Sequence, residues 1–228
     1  MAKPFLAEAQ LQKLLDPYPT PESLRQALTG VSRQSRENVT RLWLTEGIPL
    51  AFRNCPSAYE QMRAWLGIQL NLCPKEITLL GSARLGFSLA PPKFGRPFDA
   101  ASDCDLSAVS EQLFQRLAES FDVWKRDYSE GLVHPRNNRE RAFGDDNVLF
   151  GERNLPLGFI DPGKLPTFNP YPIVQNIQQA MWALTKKLEV TPEAPSPQKA
   201  SIRVYRTWQA LVSRVSLNLH LAVSPAQR

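Results

Sequence analysis

The chain has 228 residues, of which 43% are hydrophobic and 21% charged, and carries a net charge of +5. That composition excludes a wholly disordered chain, and the length is enough to bury a core without staples. The mildly basic balance suits a polyanionic partner such as a nucleotide or RNA.

Residues 1–19 read as a short helix and a proline-rich turn. Thr20-Pro21 then reads as an N-cap with proline in the first helical position. Leu24, Leu28 and Val31, then Val39, Leu42 and Trp43, recur at helical spacing and predict one or two helices ending near Gly47-Ile48-Pro49. Ser57-Ala58-Tyr59-Glu60 has capping-box form, and Tyr59, Met62 and Leu66 share a helical face. Pro74 ends that element. Glu76 to Leu80 is a short apolar run closed by Gly81, which predicts a buried strand.

Residues 83–102 form a loop rich in proline, glycine and basic residues. A strand is expected from Asp103 to Val109, and Leu113, Phe114, Leu117, Phe121 and Trp124 mark an amphipathic helix after it. The stretch 125–141 reads as a basic loop, with Arg126, His134, Arg136, Arg139 and Arg141 placed to dock RNA, a phosphorylated partner or nothing. Asn147 to Phe150 and Leu157 to Ile160 are expected as two short strands. Tyr171-Pro172 opens a helix with Ile173, Ile177, Met181, Leu184 and Leu188 on its face. Residues 190–200 read as a proline-bearing linker. In Ser201 to Val223, Ile202, Tyr205, Trp208, Val212, Val215 and Leu219 fit a helix, while Val215, Leu217, Leu219 and Leu221 also alternate like a strand; helix is preferred for the length of the segment. The five tryptophans fall mostly on apolar helical faces, where core packing is the default.

Cys55, Cys73 and Cys104 form no CxxC pair, and His134 and His220 form no cluster, so a zinc site and histidine-cluster chemistry are not expected. An odd, sparse cysteine count suits a reducing compartment. No apolar run is long enough to span a membrane or to act as a signal peptide, so a cytoplasmic protein is expected.

Two motifs carry chemistry. In Leu80-Gly81-Ser82-Ala83-Arg84 an apolar strand runs into Gly-Ser, where backbone and hydroxyl can approach a phosphate. In Ser102-Asp103-Cys104-Asp105-Leu106 the alternation of a strand puts Asp103 and Asp105 on one face, about 7 Å apart. Two such carboxylates repel unless a cation lies between them, and Mg²⁺ (or Mn²⁺) suits an all-oxygen site.

Together these motifs resemble the DNA polymerase β-like nucleotidyltransferase superfamily, over about residues 75–127. The resemblance implies an α+β fold, with a small mixed sheet and flanking helices in a core over 51–165. An N-terminal helical segment (1–50) and a C-terminal one (166–228) would be added to that core. It implies that Gly81 and Ser82 hold a triphosphate, that Asp103 and Asp105 bind Mg²⁺, and that a nucleoside monophosphate passes from an NTP to a hydroxyl of a protein, RNA or nucleotide. Arg84, Lys93 and Arg96 are further candidates for the triphosphate. The loop between the motifs is longer than the family's usual. The family's third carboxylate falls to Asp161, with Asp145 and Asp146 as rivals. Two alternatives stay open: a catalytically inactive nucleotide sensor or protein-interaction subunit, and an RNA-binding, toxin-like protein acting on RNA ends. The resemblance also suggests a divergent bacterial member in a defence setting.

Overall fold

Capping explains where most helices begin. In the computed structural model, which describes residues 11–167 and 171–224, Thr20 accepts from the Ser23 N–H at 3.2 Å and starts α1 (Pro21–Leu28). Ser32 accepts from the Ser35 N–H at 3.1 Å and starts α2 (Arg33–Val39), which runs on as a wider π-helical turn to Thr45. Each cap satisfies a backbone donor that the first helical turn leaves free. α3 (Pro56–Leu70) begins one step earlier than the expected capping box. Pro56 occupies the first turn, so Ser57 lies inside the helix and Glu60 pairs with Arg63 instead.

β1 (Ile77–Leu80) passes into the single turn α4 (Gly81–Leu85), and β2 (Cys104–Val109) follows the long loop. α5 (Glu111–Ser129) buries all five of its expected apolar residues. The basic stretch 125–141 is mostly not a loop. It holds the end of α5 and the start of α6 (Asn138–Asn154), with only residues 130–137 between them. The strand expected at Asn147 to Phe150 is therefore helix. Asn137 caps α6 through the Glu140 N–H at 3.0 Å, while Glu140 accepts from the Arg136 N–H at 2.7 Å.

β3 (Phe159–Ile160) is only the end of the run expected as a strand, and α7 (Pro172–Glu189) starts where Pro172 predicts. The last segment is not one helix. It divides into β4 (Ala200–Tyr205) and α8 (Trp208–Val223), with Thr207 capping α8 through the Ala210 N–H at 3.2 Å. Of the tryptophans, Trp124 is in the core, while Trp182 and Trp208 are exposed at 67% and 45%.

Among the described residues the fold is α+β, with eight α-helices and a four-stranded mixed sheet in the order β1-β2-β4-β3. β2 is antiparallel to β1 and parallel to β4, and β3 is antiparallel to β4. β4 lies between strands that come far earlier in the chain, so one sheet joins the segments on either side of residue 165. Its two faces differ. Ile77, Leu79, Cys104, Leu106, Ala108, Ile202 and Val204 form one buried cluster with α3, α5 and α7. Val109, Phe159 and Tyr205 belong to a second cluster with α1, α2 and α8. No described helix is long and apolar enough to cross a membrane.

Candidate functional site

On the α8 side, β2 and β4 set polar residues opposite one another. In register, Asp105 faces Ser201, Ser107 faces Arg203, and Val109 faces Tyr205. One step before this ladder, the Lys199 ammonium lies 3.5 Å from an Asp103 oxygen. Strand alternation puts Asp105 and Ser107 on the same face, while Asp103 sits just before the strand and outside the cleft lining.

Gly81 closes β1 directly beside Asp105, since Leu80 is the register partner of Asp105. Its φ is 63°, a left-handed conformation that disfavours a side chain. A Cβ there would also lie 3.2 Å from an Asp105 carboxylate oxygen. Glycine is thus required twice, for backbone conformation and for close approach.

These residues wall a cleft of about 380 Å³ that includes Gly81, Ser82, Asp105, Ser107, Ser201 and Arg203. The far wall comes from Ser88 to Pro91 and from Val215, Asn218 and Leu221 of α8. Inside it, the Ser201 hydroxyl donates to Asp105 Oδ1 at 2.9 Å. Tyr205 is buried, and burial pushes its phenol pKa up against the lowering influence of Arg203 and Arg214. Cys104 points to the opposite, apolar face. Burial first, and then the charges of Asp105 and Asp103, push its thiol up to about 12, so it stays neutral.

The structure brings together Gly81, Ser82 and Asp105, with Asp103 at the edge of the same ladder. Arg84 is not in the cleft. It is buried, and its guanidinium donates to the backbone carbonyls of Trp43, Glu46 and Ile48, tying α4 to the turn after α2. Buried and committed to three carbonyls outside the cleft, this guanidinium is not placed to meet a phosphate there. Lys93 and Arg96 are exposed on the loop, and Arg96 lies 3.6 Å from Asp99. The adjoining Ala90 and Pro91 form the cleft wall in their place.

The third carboxylate does not join the pair. Asp161 follows β3, two strands from β2 and so about 10 Å to the side. It accepts from the Gly163 N–H at 2.9 Å, as a turn residue does, and lies 3.8 Å from the Arg203 Nε. Asp145 is on α6, where it accepts from the Tyr128 hydroxyl at 2.9 Å, and Asp146 is exposed on the same helix. Among the described residues no three histidine, cysteine or acidic side chains gather closely enough to hold a metal ion.

Carboxylates such as Asp103 and Asp105 are the oxygen donors that a Mg²⁺ sharing its shell with phosphates and water takes. Asp103 Oδ1 is buried and has no hydrogen-bond partner, the condition a cation would relieve. A two-metal clamp fits less well, because Ser201 and Arg203 stand on β4, the strand beside Asp105. These β4 residues were legible only as an alternation, Ser201-Ile202-Arg203-Val204-Tyr205, inside a segment read as helix. No family model, curated protein or solved structure matches the chain.

Proposed function

We propose that the cleft binds the triphosphate of a nucleoside triphosphate with one Mg²⁺ or Mn²⁺, as a nucleotidyltransferase-type core adapted to binding. One observation carries this reading: the Gly81-Ser82 turn, the Asp105 carboxylate and the Arg203 guanidinium line a single cleft. The Gly81 backbone and Ser82 hydroxyl approach the phosphates. Arg203 donates to a phosphate oxygen as a charge-assisted fork. Asp105, with Ser201 fixing its orientation, and Asp103 hold the cation. The cation offsets the repulsion between these carboxylates and the phosphates.

The test is equilibrium binding of each labelled NTP with and without Mg²⁺. Asp105→Asn and Arg203→Met are each expected to raise Kd by about tenfold or more, about 1.4 kcal/mol. Binding that neither substitution changes would refute the assignment.

A second reading, full nucleotidyl transfer, is favoured by the unpartnered Asp103 Oδ1. In that reaction the acceptor hydroxyl oxygen bonds to the α-phosphorus and the bond to the β-phosphate oxygen breaks. Pyrophosphate leaves and the hydroxyl proton passes to solvent. Asp103 and Asp105 would position the α-phosphate through the cation, which supplies charge stabilisation as the new bond forms. Pyrophosphate release with RNA or protein as acceptor, lost in both Asp103→Ala and Asp105→Ala, establishes it. NTP binding without release leaves a nucleotide sensor or interaction subunit.

A further inference from the structure

We propose that a second cleft, on the other flank of α8, is a site for a small phosphate monoester bearing an apolar group. α2, α8 and the chain entering β3 enclose about 300 Å³ there, the lower end of the range for small-molecule sites. Arg33, Arg36, Arg214 and His220 line it, and no carboxylate does.

The three guanidiniums are only partly engaged. Arg33 Nε donates to Glu37 at 2.9 Å, and its Nη2 reaches the Ser213 hydroxyl at 3.4 Å. Glu37 is shared with Arg41, at 3.9 Å, so one carboxylate stands behind two cations. Arg36 Nη1 donates to the Val31 carbonyl at 2.8 Å, while its Nε is buried with no partner. Arg214 sits 4.8 Å above the Phe159 ring, a contact that leaves its N–H groups available. His220 meets the Ser224 hydroxyl at 3.4 Å through Nδ1.

Like charges gathered around one small cavity repel one another. An anion with several oxygens relieves it, and guanidinium forks match phosphate geometry. The rest of the lining specifies the remainder of the ligand. Leu157, Phe159 and Leu217 offer an apolar floor, which suits a ring or short aliphatic group and gives nothing to a bare ion.

The site is independent of the nucleotide cleft, and the test keeps them apart. Calorimetric titrations with phenyl phosphate, inorganic phosphate and benzoate would be run in EDTA, which removes divalent cations from the other cleft. Phenyl phosphate is expected to bind about tenfold more tightly than either of the other two. Arg214→Met and Arg36→Met should each weaken it about tenfold or more, whereas Arg203→Met should leave it unchanged. Thermal melting of each variant checks folding, and Arg214→Met is the safer variant because Arg214 holds no backbone carbonyl in place. Phenyl phosphate that does not bind overturns the proposal. So does binding equal to that of inorganic phosphate, binding indifferent to Arg214→Met and Arg36→Met, or binding lost in Arg203→Met.

Discussion

α5 and α6 are of similar length, 19 and 17 residues, and pack side by side, yet their buried faces are built from different materials. α5 presents Leu113, Phe114, Leu117, Phe121 and Trp124 to the core. The buried face of α6 is Gly144, Asn147, Gly151 and Asn154. At Gly144 and Gly151 a Cβ would run into the rings of Tyr128 and Phe121, so the missing side chains on α6 make room for the aromatic rings of α5. Between the glycines, Asn147 is 2% exposed and neither of its amide atoms has a hydrogen-bond partner. One helix is held mainly by burial of apolar area, and the other largely by close fit, with Val148 and Phe150 packed at its flanks and polar contacts such as Tyr128 to Asp145, and with a buried polar group left unpaired. An amphipathic stripe can be read from sequence, whereas a groove shaped to another helix's rings cannot.

Four substitutions would break or sharpen this contrast. Leu117→Ala removes a fully buried α5 side chain and should lower unfolding free energy by about 2–5 kcal/mol. Urea unfolding with an unchanged slope would check it, and a loss below about 1 kcal/mol would mean that α5 is not the anchor. Gly151→Ala drives a methyl group into the buried Phe121 ring, and overpacking of this kind costs about 1–3 kcal/mol. An Ala variant as stable as the parent would show that α6 is not seated on Phe121.

Asn147→Leu replaces an unpartnered carboxamide by an apolar group of similar size and should be neutral to stabilising by about 1 kcal/mol in thermal melts. A clear loss of stability would reveal a partner for Asn147. The smallest effect lies at the solvent end of the helix pair. There burial, and then the hydrogen bond to Asp145 and its charge, hold the Tyr128 phenol above its ordinary pKa. The folded state thus favours the neutral phenol. Its contribution is complete below the unfolded tyrosine pKa of about 10 and is lost as pH rises through the folded value. Asp145→Asn should bring the phenolate absorbance transition down toward the ordinary value. A midpoint that does not move would remove Asp145 as a cause.

The same contrast governs what could be read in the candidate site. Gly81, Ser82, Asp103 and Asp105 stand in short local patterns, a strand closed by glycine and two acids two residues apart; the structure sets Gly81, Ser82 and Asp105 in one cleft, while Asp103 lies just before β2 and outside the cleft lining. Arg84, Lys93 and Arg96 were chosen by charge and nearness in sequence. Neither property says where a long side chain ends, and Arg84 ends among backbone carbonyls. Ser201, Arg203 and Tyr205 could not be assigned, because their strand lies far along the chain from its partner β2.

Local rules set by the sequence alone determined much of the molecule: the cap at Thr20, the proline that starts α7, the apolar stripe of α5, and the turn at Gly81. Each depends on residues within a turn or two of one another, where backbone sterics and periodic burial act. Only the tertiary structure decided that residues 200–205 are a strand, that residues 147–150 are helix, and that Arg203 rather than a third carboxylate stands on the strand beside Asp105. Those outcomes depend on pairing and packing between segments distant in the chain, where the free energy of a shared sheet or a fitted groove exceeds the small local preferences of the residues that form it.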